Sequence, residues 1–259
     1  MAFVTLNGIT HHYRFRAGVG TPIVFLNSLG TDFRIWDEVI DQLDGQIPVL
    51  CVDKRGHGLS DDAPITMDDL VGDAAALMDH LDVKDALICG VSIGGLIAQG
   101  IATARPELIS ALVLCCTGSK IGNAEGWNTR IETTKTSGIA SMSDSILERW
   151  FSKGFHRNRK TDLLGYRNML TRTSAEGYAG VCGAIRDSDF AQVNATIAVP
   201  TLCIAGADDL ATPPELVKAL AKTIPNARYQ EIDDCGHLPC IEATYTMAEA
   251  IKKMRRELL

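Results

Sequence analysis

The chain has 259 residues, of which 46 % are hydrophobic and 22 % charged, and its net charge is −7. That length suits a single large α/β domain, and the acidic balance speaks against nucleic-acid binding, which needs a basic face. Residues 118–195 run against the trend, with 11 Lys/Arg facing 8 Asp/Glu for a net of +3; this favours a small anionic ligand, although a solvated surface segment has the same signature.

In chain order, residues 3–6 and 9–15 flank Asn7-Gly8, a pair that tolerates positive φ and marks a hairpin. Continuous apolar runs follow at 22–26, 47–52, 86–89, 108–116 and 200–205. Unbroken apolarity points to strands buried on both faces, as in a parallel sheet. Helical spacing recurs between them. Trp36, Val39, Ile40 and Leu43 form one face, and Leu70, Ala74, Leu77, Met78 and Leu81 another, after an acidic start at Asp68 and Asp69. A helix over 93–104 should stop at Arg105-Pro106, and two more are expected over 213–223 and 243–257. From 118 to 195 the alternation lapses into helices joined by polar turns. The expected organisation is therefore a core of residues 1–117 and 196–259 carrying an inserted helical cap, with no internal repeat.

There are eight cysteines and no C-x-x-C pair, so buried free thiols in a reducing, cytoplasmic setting are expected rather than a disulfide framework. The first residues lack the pattern of a signal peptide, and 86–104 reads as strand then helix, not a membrane span. The sequence leaves the oligomeric state open.

The chemistry centres on Gly90-Val91-Ser92-Ile93-Gly94, a G-x-S-x-G pattern with an apolar strand before it and a helix after it. On so sharp a corner, side chains two positions either side of the serine would meet backbone, so glycine is needed there. A serine hydroxyl needs a base that is itself oriented by a third group. Chain order supplies both: Asp208-Asp209 follows the strand at 200–205, and His237 follows the strand at 228–232. Asp209 is the preferred acid and Asp208 the competitor. His11 and His12, adjacent on a strand, point to opposite faces and make poor metal partners; His57, His80 and His156 read as surface or satisfied core residues. The oxyanion of a tetrahedral intermediate would rest on the backbone amides of Ile93 and Leu29, the latter in the turn after residues 25–26.

GVSIGG, the turn DKRGHGLS (53–60), the loop GADDLATPP and the segment GHLP resemble the α/β-hydrolase superfamily over the whole chain. LNSLGTD (26–32), IGNAEGWNTRI (121–131), Leu147 to Phe151, Glu176-Gly177-Tyr178 and Ala184 to Asp187 are more closely similar to the 3-oxoadipate enol-lactonase family. The stretch Pro239 to Thr244 departs from that pattern, lacking a proline two residues past Glu242. The resemblance implies a mostly parallel eight-stranded sheet flanked by helices with a helical cap. It implies a cofactor-free, metal-free serine hydrolase that opens 3-oxoadipate enol-lactone in the β-ketoadipate pathway of aromatic degradation. Trp127 and Arg130 would then lie over the site, with Arg130 pairing with the substrate carboxylate; an exposed helix arginine is the plain alternative. A carboxylesterase or carbon–carbon bond hydrolase with the same triad, or a hydrolase-fold ligand receptor, are the competing readings.

Overall fold

The computed structural model describes residues 1–258. β1 (Ala2–Leu6) and β2 (Ile9–Arg16) form an antiparallel hairpin that turns at Asn7 and Gly8, both at positive φ. β3 (Ile23–Leu26) leads through a 3₁₀ turn (Phe33–Trp36) into α1 (Asp37–Ile40) and β4 (Val49–Val52). Then come α2 (Met67–His80), β5 (Ala86–Val91), α3 (Ile93–Ala104) and β6 (Ile109–Cys115). Five helices intervene before the next strand: α4 (Ala124–Ser137), α5 (Ser143–Trp150), α6 (Lys153–Asn158), α7 (Lys160–Thr171) and α8 (Ala175–Arg186). The chain closes with β7 (Thr201–Gly206), α9 (Pro214–Thr223), β8 (Arg228–Ile232), α10 (Pro239–Glu242) and α11 (Thr244–Arg256).

The eight strands form one sheet in the order β1-β2-β4-β3-β5-β6-β7-β8. Only the pairs involving β2 are antiparallel. β3, β4, β5 and β7 are buried at every residue, whereas the edge strand β1 alternates. That contrast follows from helices covering both faces of the central strands. Connections run outward from β3 in both directions, to β4 on one side and β5 on the other. Their loops therefore diverge at the carboxyl ends of the strands and leave a crevice there.

α2 opens on a reciprocal cap between Thr66 and Asp69, which satisfies two otherwise orphaned amides. The helix expected around residues 36–43 is shorter than its spacing suggests. Trp36, Val39 and Ile40 do face the core, but α1 stops at Ile40 and Leu43 lies in the turn beyond it. A second interruption falls at Ala243, which separates α10 from α11 where the proline is missing. α8 stands over the crevice: Gly177 sits so close to Gly56, in the loop after β4, that a Cβ on either would strike the other's backbone. α4 packs against α8. No helix among the described residues is long and apolar enough to cross a membrane. All eight cysteines are buried and free.

Candidate active site

Ser92 occupies the single residue between β5 and α3, with φ 59° and ψ −119°. That conformation is costly for a residue with a Cβ, and the surroundings hold it. Ser92 N–H donates to the Cys115 carbonyl at 2.9 Å, and Thr117 Oγ1 donates to the Ser92 carbonyl at 2.7 Å. A Cβ on Gly90 would collide with the Gly94 carbonyl, and one on Gly94 with the Leu26 carbonyl of the neighbouring strand. The two glycines thus let α3 start immediately above the sheet. Ser92 is 7 % exposed, and it lines a cavity of about 270 Å³ together with Ser28, Leu29 and His237.

His237 reaches this cavity from the turn after β8. Its Nδ1 lies 2.8 Å from Asp209 Oδ2, which places the hydrogen on Nδ1 and leaves the Nε2 lone pair free. Asp209 is buried and Asp208 is exposed, lining a separate cleft with Asp144 and Lys153. The remaining capacity of Asp209 is filled by the Ala211 and Thr212 amides at 2.7 and 2.9 Å and by Thr212 Oγ1 at 2.7 Å. Burial pushes this carboxyl up, but His237 and the hydrogen bonds from His237 and Thr212 outweigh burial and hold it below the usual range. Nothing in the sequence marks Thr212 beyond its position three residues past Asp209. The histidine turn is tied to the end of α5: His237 N–H donates to the Trp150 carbonyl at 2.7 Å, and Glu242 accepts from the Gly236 and Ser152 amides.

Across the cavity, Leu29 N–H donates to no protein group among the described residues. Ile93 is the first residue of α3, so its N–H has no acceptor within the helix. Its side chain is buried in the core. His57, expected to be a surface or satisfied core residue, supports this loop: its Nε2 accepts from the Gly30 amide at 2.9 Å. Burial and then the Lys54 charge keep it neutral, as that role requires. His12 and His11 turn to different carboxylates, Asp53 at 2.7 Å and Asp73 at 3.7 Å.

The far wall of the cavity comes from α4, α5 and α8. Trp127, Arg130, Arg149, Trp150 and Tyr178 all line it. The Arg130 guanidinium lies over the Trp127 ring, 5.3 Å from its centroid. Neither Arg130 nor Arg149 forms an ion pair among the described residues. Desolvation, followed by the like charge of Arg130, lowers the Arg149 pKa. Tyr178 is buried with its hydroxyl unpartnered. Arg149 and Tyr178 stand in stretches that carry the family resemblance, but which way they point was not readable there.

Cys116, Asp209 and His237 bring ligand-type atoms within 4.8 Å of one another. Burial, and then the Asp209 charge, raise the Cys116 thiol far above its ordinary range, and its Sγ donates to the Gly236 carbonyl at 3.8 Å. Asp209 already accepts from four donors, one of them His237 Nδ1, and Cys116 takes no part in these bonds.

A family profile described as "Alpha/beta hydrolase family" matches residues 23–250. The chain is 31 % identical to 3-oxoadipate enol-lactonase 2 of Acinetobacter baylyi over 236 residues, covering 90 % of this chain and 88 % of that protein. It is 34 % identical to 3-oxoadipate enol-lactonase 1 of the same organism over 223 residues, 85 % of this chain and 83 % of that one. The crystal structure of the enol-lactonase from Burkholderia xenovorans superposes with a TM-score of 0.94 at 34 % identity, covering 98 % of this chain and 99 % of that one. These similarities join the serine corner and the eight-stranded, mostly parallel sheet in one conclusion: the chain belongs to the alpha/beta hydrolase family, and its fold is the α/β-hydrolase fold.

Proposed function

We propose that the protein is a serine hydrolase that opens an anionic enol-lactone, with 3-oxoadipate enol-lactone hydrolysed to 3-oxoadipate as the leading reaction. The observation that carries this reading is one cavity presenting Ser92 and His237 on its floor and two unpaired guanidinium groups, Arg130 and Arg149, on its wall. The cavity suits a compact acid. The acyl carbon would sit at the serine and the distal carboxylate between the two arginines, with Tyr178 Oη as a further donor. The enol-lactonase relatives support the substrate class. Residues 118–195 act as the cap that supplies this anion-binding wall.

In this mechanism Ser92 Oγ attacks the lactone carbonyl while His237 Nε2 takes its proton, and Asp209 stabilises the imidazolium and its tautomer. The oxyanion is held by the amides of Leu29 and Ile93. Collapse breaks the ring C–O bond, and the imidazolium returns its proton to the leaving enol, which relaxes to the ketone. The ring-opened chain stays attached as an acyl-serine ester. Water, deprotonated by His237, then attacks that ester, and the proton goes back to Ser92 Oγ as the acid is released. The enol is a better leaving group than an alkoxide, so one base suffices for both halves.

Loss of enol-lactone absorbance tests the reading directly. Wild-type protein should turn over 3-oxoadipate enol-lactone with kcat/KM at least about 10³-fold above its values for neutral alkyl esters, and Ser92→Ala should lose at least about 10³-fold in kcat. Efficient hydrolysis of neutral esters or vinylogous diketones with no lactone turnover would transfer the assignment to a carboxylesterase or carbon–carbon bond hydrolase. A Ser92 inert to fluorophosphonate would point to a ligand receptor.

A further inference from the structure

Lys54, two residues past β4, is a buried charge that takes no part in the mechanism. It is 6 % exposed and forms no salt bridge among the described residues. An ammonium buried without a carboxylate partner costs several kcal/mol, and a methionine would fill the same space without that penalty. Its Nζ donates instead to two consecutive backbone carbonyls, Ser28 at 2.6 Å and Asn27 at 3.3 Å.

The Ser28 carbonyl and the Leu29 N–H are the two edges of one peptide unit. No peptide bond among the described residues is cis, and in a trans unit the C=O and N–H point in opposite directions. A carbonyl drawn onto the ammonium beneath the loop therefore turns the Leu29 N–H to the opposite side, where Ser28 and Leu29 line the cavity with Ser92. Thr31 Oγ1 donates to the same carbonyl at 2.9 Å, and the Gly30 amide is tied to His57 at 2.9 Å. Rotating the 28–29 peptide would break the Lys54 and Thr31 bonds and aim an N–H at a cation. A cation on the carbonyl also polarises the amide and strengthens its N–H as a donor.

We propose that Lys54 is a positioning residue of the oxyanion hole, its ammonium holding and polarising the Ser28–Leu29 peptide so that the Leu29 N–H faces the reacting carbonyl oxygen. This inference rests on the serine-hydrolase reading. Lys54 never touches substrate, and its effect is confined to the state in which negative charge sits on that oxygen.

The test compares wild type, Ser92→Ala, Lys54→Met and Thr31→Val below about pH 7, where Lys54 keeps its charge, by p-nitrophenyl acetate hydrolysis, by inhibition with benzeneboronic acid, which forms a tetrahedral adduct on serine, and by thermal melting. Lys54→Met should keep KM within about twofold but lose kcat by roughly 10–100-fold, short of the 10²–10³ seen when a donor is removed outright. Its affinity for benzeneboronic acid should fall by a similar factor. Thr31→Val, which removes a neutral donor from the same oxygen, should lose a few-fold in kcat at constant KM. A folded Lys54→Met with kcat and boronate affinity within about twofold of wild type overturns the proposal. Should Lys54→Met fail to fold, an unchanged kcat in Thr31→Val overturns it and a selective loss supports it. Wild type lacking Ser92-dependent turnover of both 3-oxoadipate enol-lactone and p-nitrophenyl acetate sinks the hydrolase reading and this inference with it, whereas active wild type with equally active Lys54→Met removes the Lys54 role alone.

Discussion

Two adjacent aspartates follow β7, and one bond separates their fates. Asp209 meets His237 Nδ1 at 2.8 Å and is buried, while Asp208 faces solvent. Asp209→Asn should lose roughly 10³–10⁴-fold in kcat because the amide imposes the wrong imidazole tautomer. Asp208→Asn should stay within about twofold, because an exposed side chain away from the imidazole contributes little to it. Stopped assays on both variants decide the matter, and a comparable loss in Asp208→Asn would refute the assignment. The arginine wall makes its own prediction. Arg130→Ala and Arg149→Ala should each raise KM for an anionic lactone by about 10-fold, the scale of one charge-assisted hydrogen bond. A neutral ester, lacking the carboxylate, should show almost no change; an unchanged KM for the anionic lactone would remove these residues from the substrate site. The serine, histidine and an acidic pair were legible from chain order, since each follows a strand end. Thr212 was not, because a threonine near an aspartate is common and only the fold reveals what its hydroxyl meets.

At the scale of elements, the corner between β5 and α3 depends on the space that two glycines leave empty. Gly94→Ala would press a methyl against the Leu26 carbonyl of β3, a backbone atom that cannot swing aside. The expected cost is about 1–3 kcal/mol of stability, with loss of turnover as the Ser92 backbone shifts. Glycines inside helices behave differently. Gly165 in α7 has open space around its Cβ position and no positive φ. Gly165→Ala should therefore raise stability by about 0.5–1 kcal/mol with kcat unchanged. Urea unfolding of the two variants checks both signs, and a stable, active Gly94→Ala would contradict the strained-corner account. The strands were legible because apolar runs report burial on both sides of a sheet. The short α1 was not, because Trp36, Val39, Ile40 and Leu43 keep helical spacing while the backbone beyond Ile40 turns away.

For the whole molecule, the buried Lys54 leaves its mark on stability against pH. Burial lowers its pKa to about 7, against the opposing pull of Asp53 and Asp32. His57 packs near it as a neutral ring, and His11 and Asp73 face it across a small internal cavity. Above about pH 7 the folded chain releases this proton while the unfolded chain retains it up to the ordinary lysine range. Stability attributable to Lys54 therefore rises with pH through that window. The Tm of wild type minus that of Lys54→Met should grow between about pH 7 and 9; a flat or falling difference would show that the buried amine does not titrate there. The sequence by itself determined the alternating architecture, the forced serine corner and the order serine, aspartate, histidine, because apolar periodicity and glycine sterics act over a few neighbouring residues. Only the tertiary structure decided which aspartate meets the imidazole, that two arginines face the serine across one cavity, and that Lys54 lies beneath the 28–29 peptide. Those facts depend on strand register and side-chain direction between segments far apart in the chain, and no local pattern encodes them.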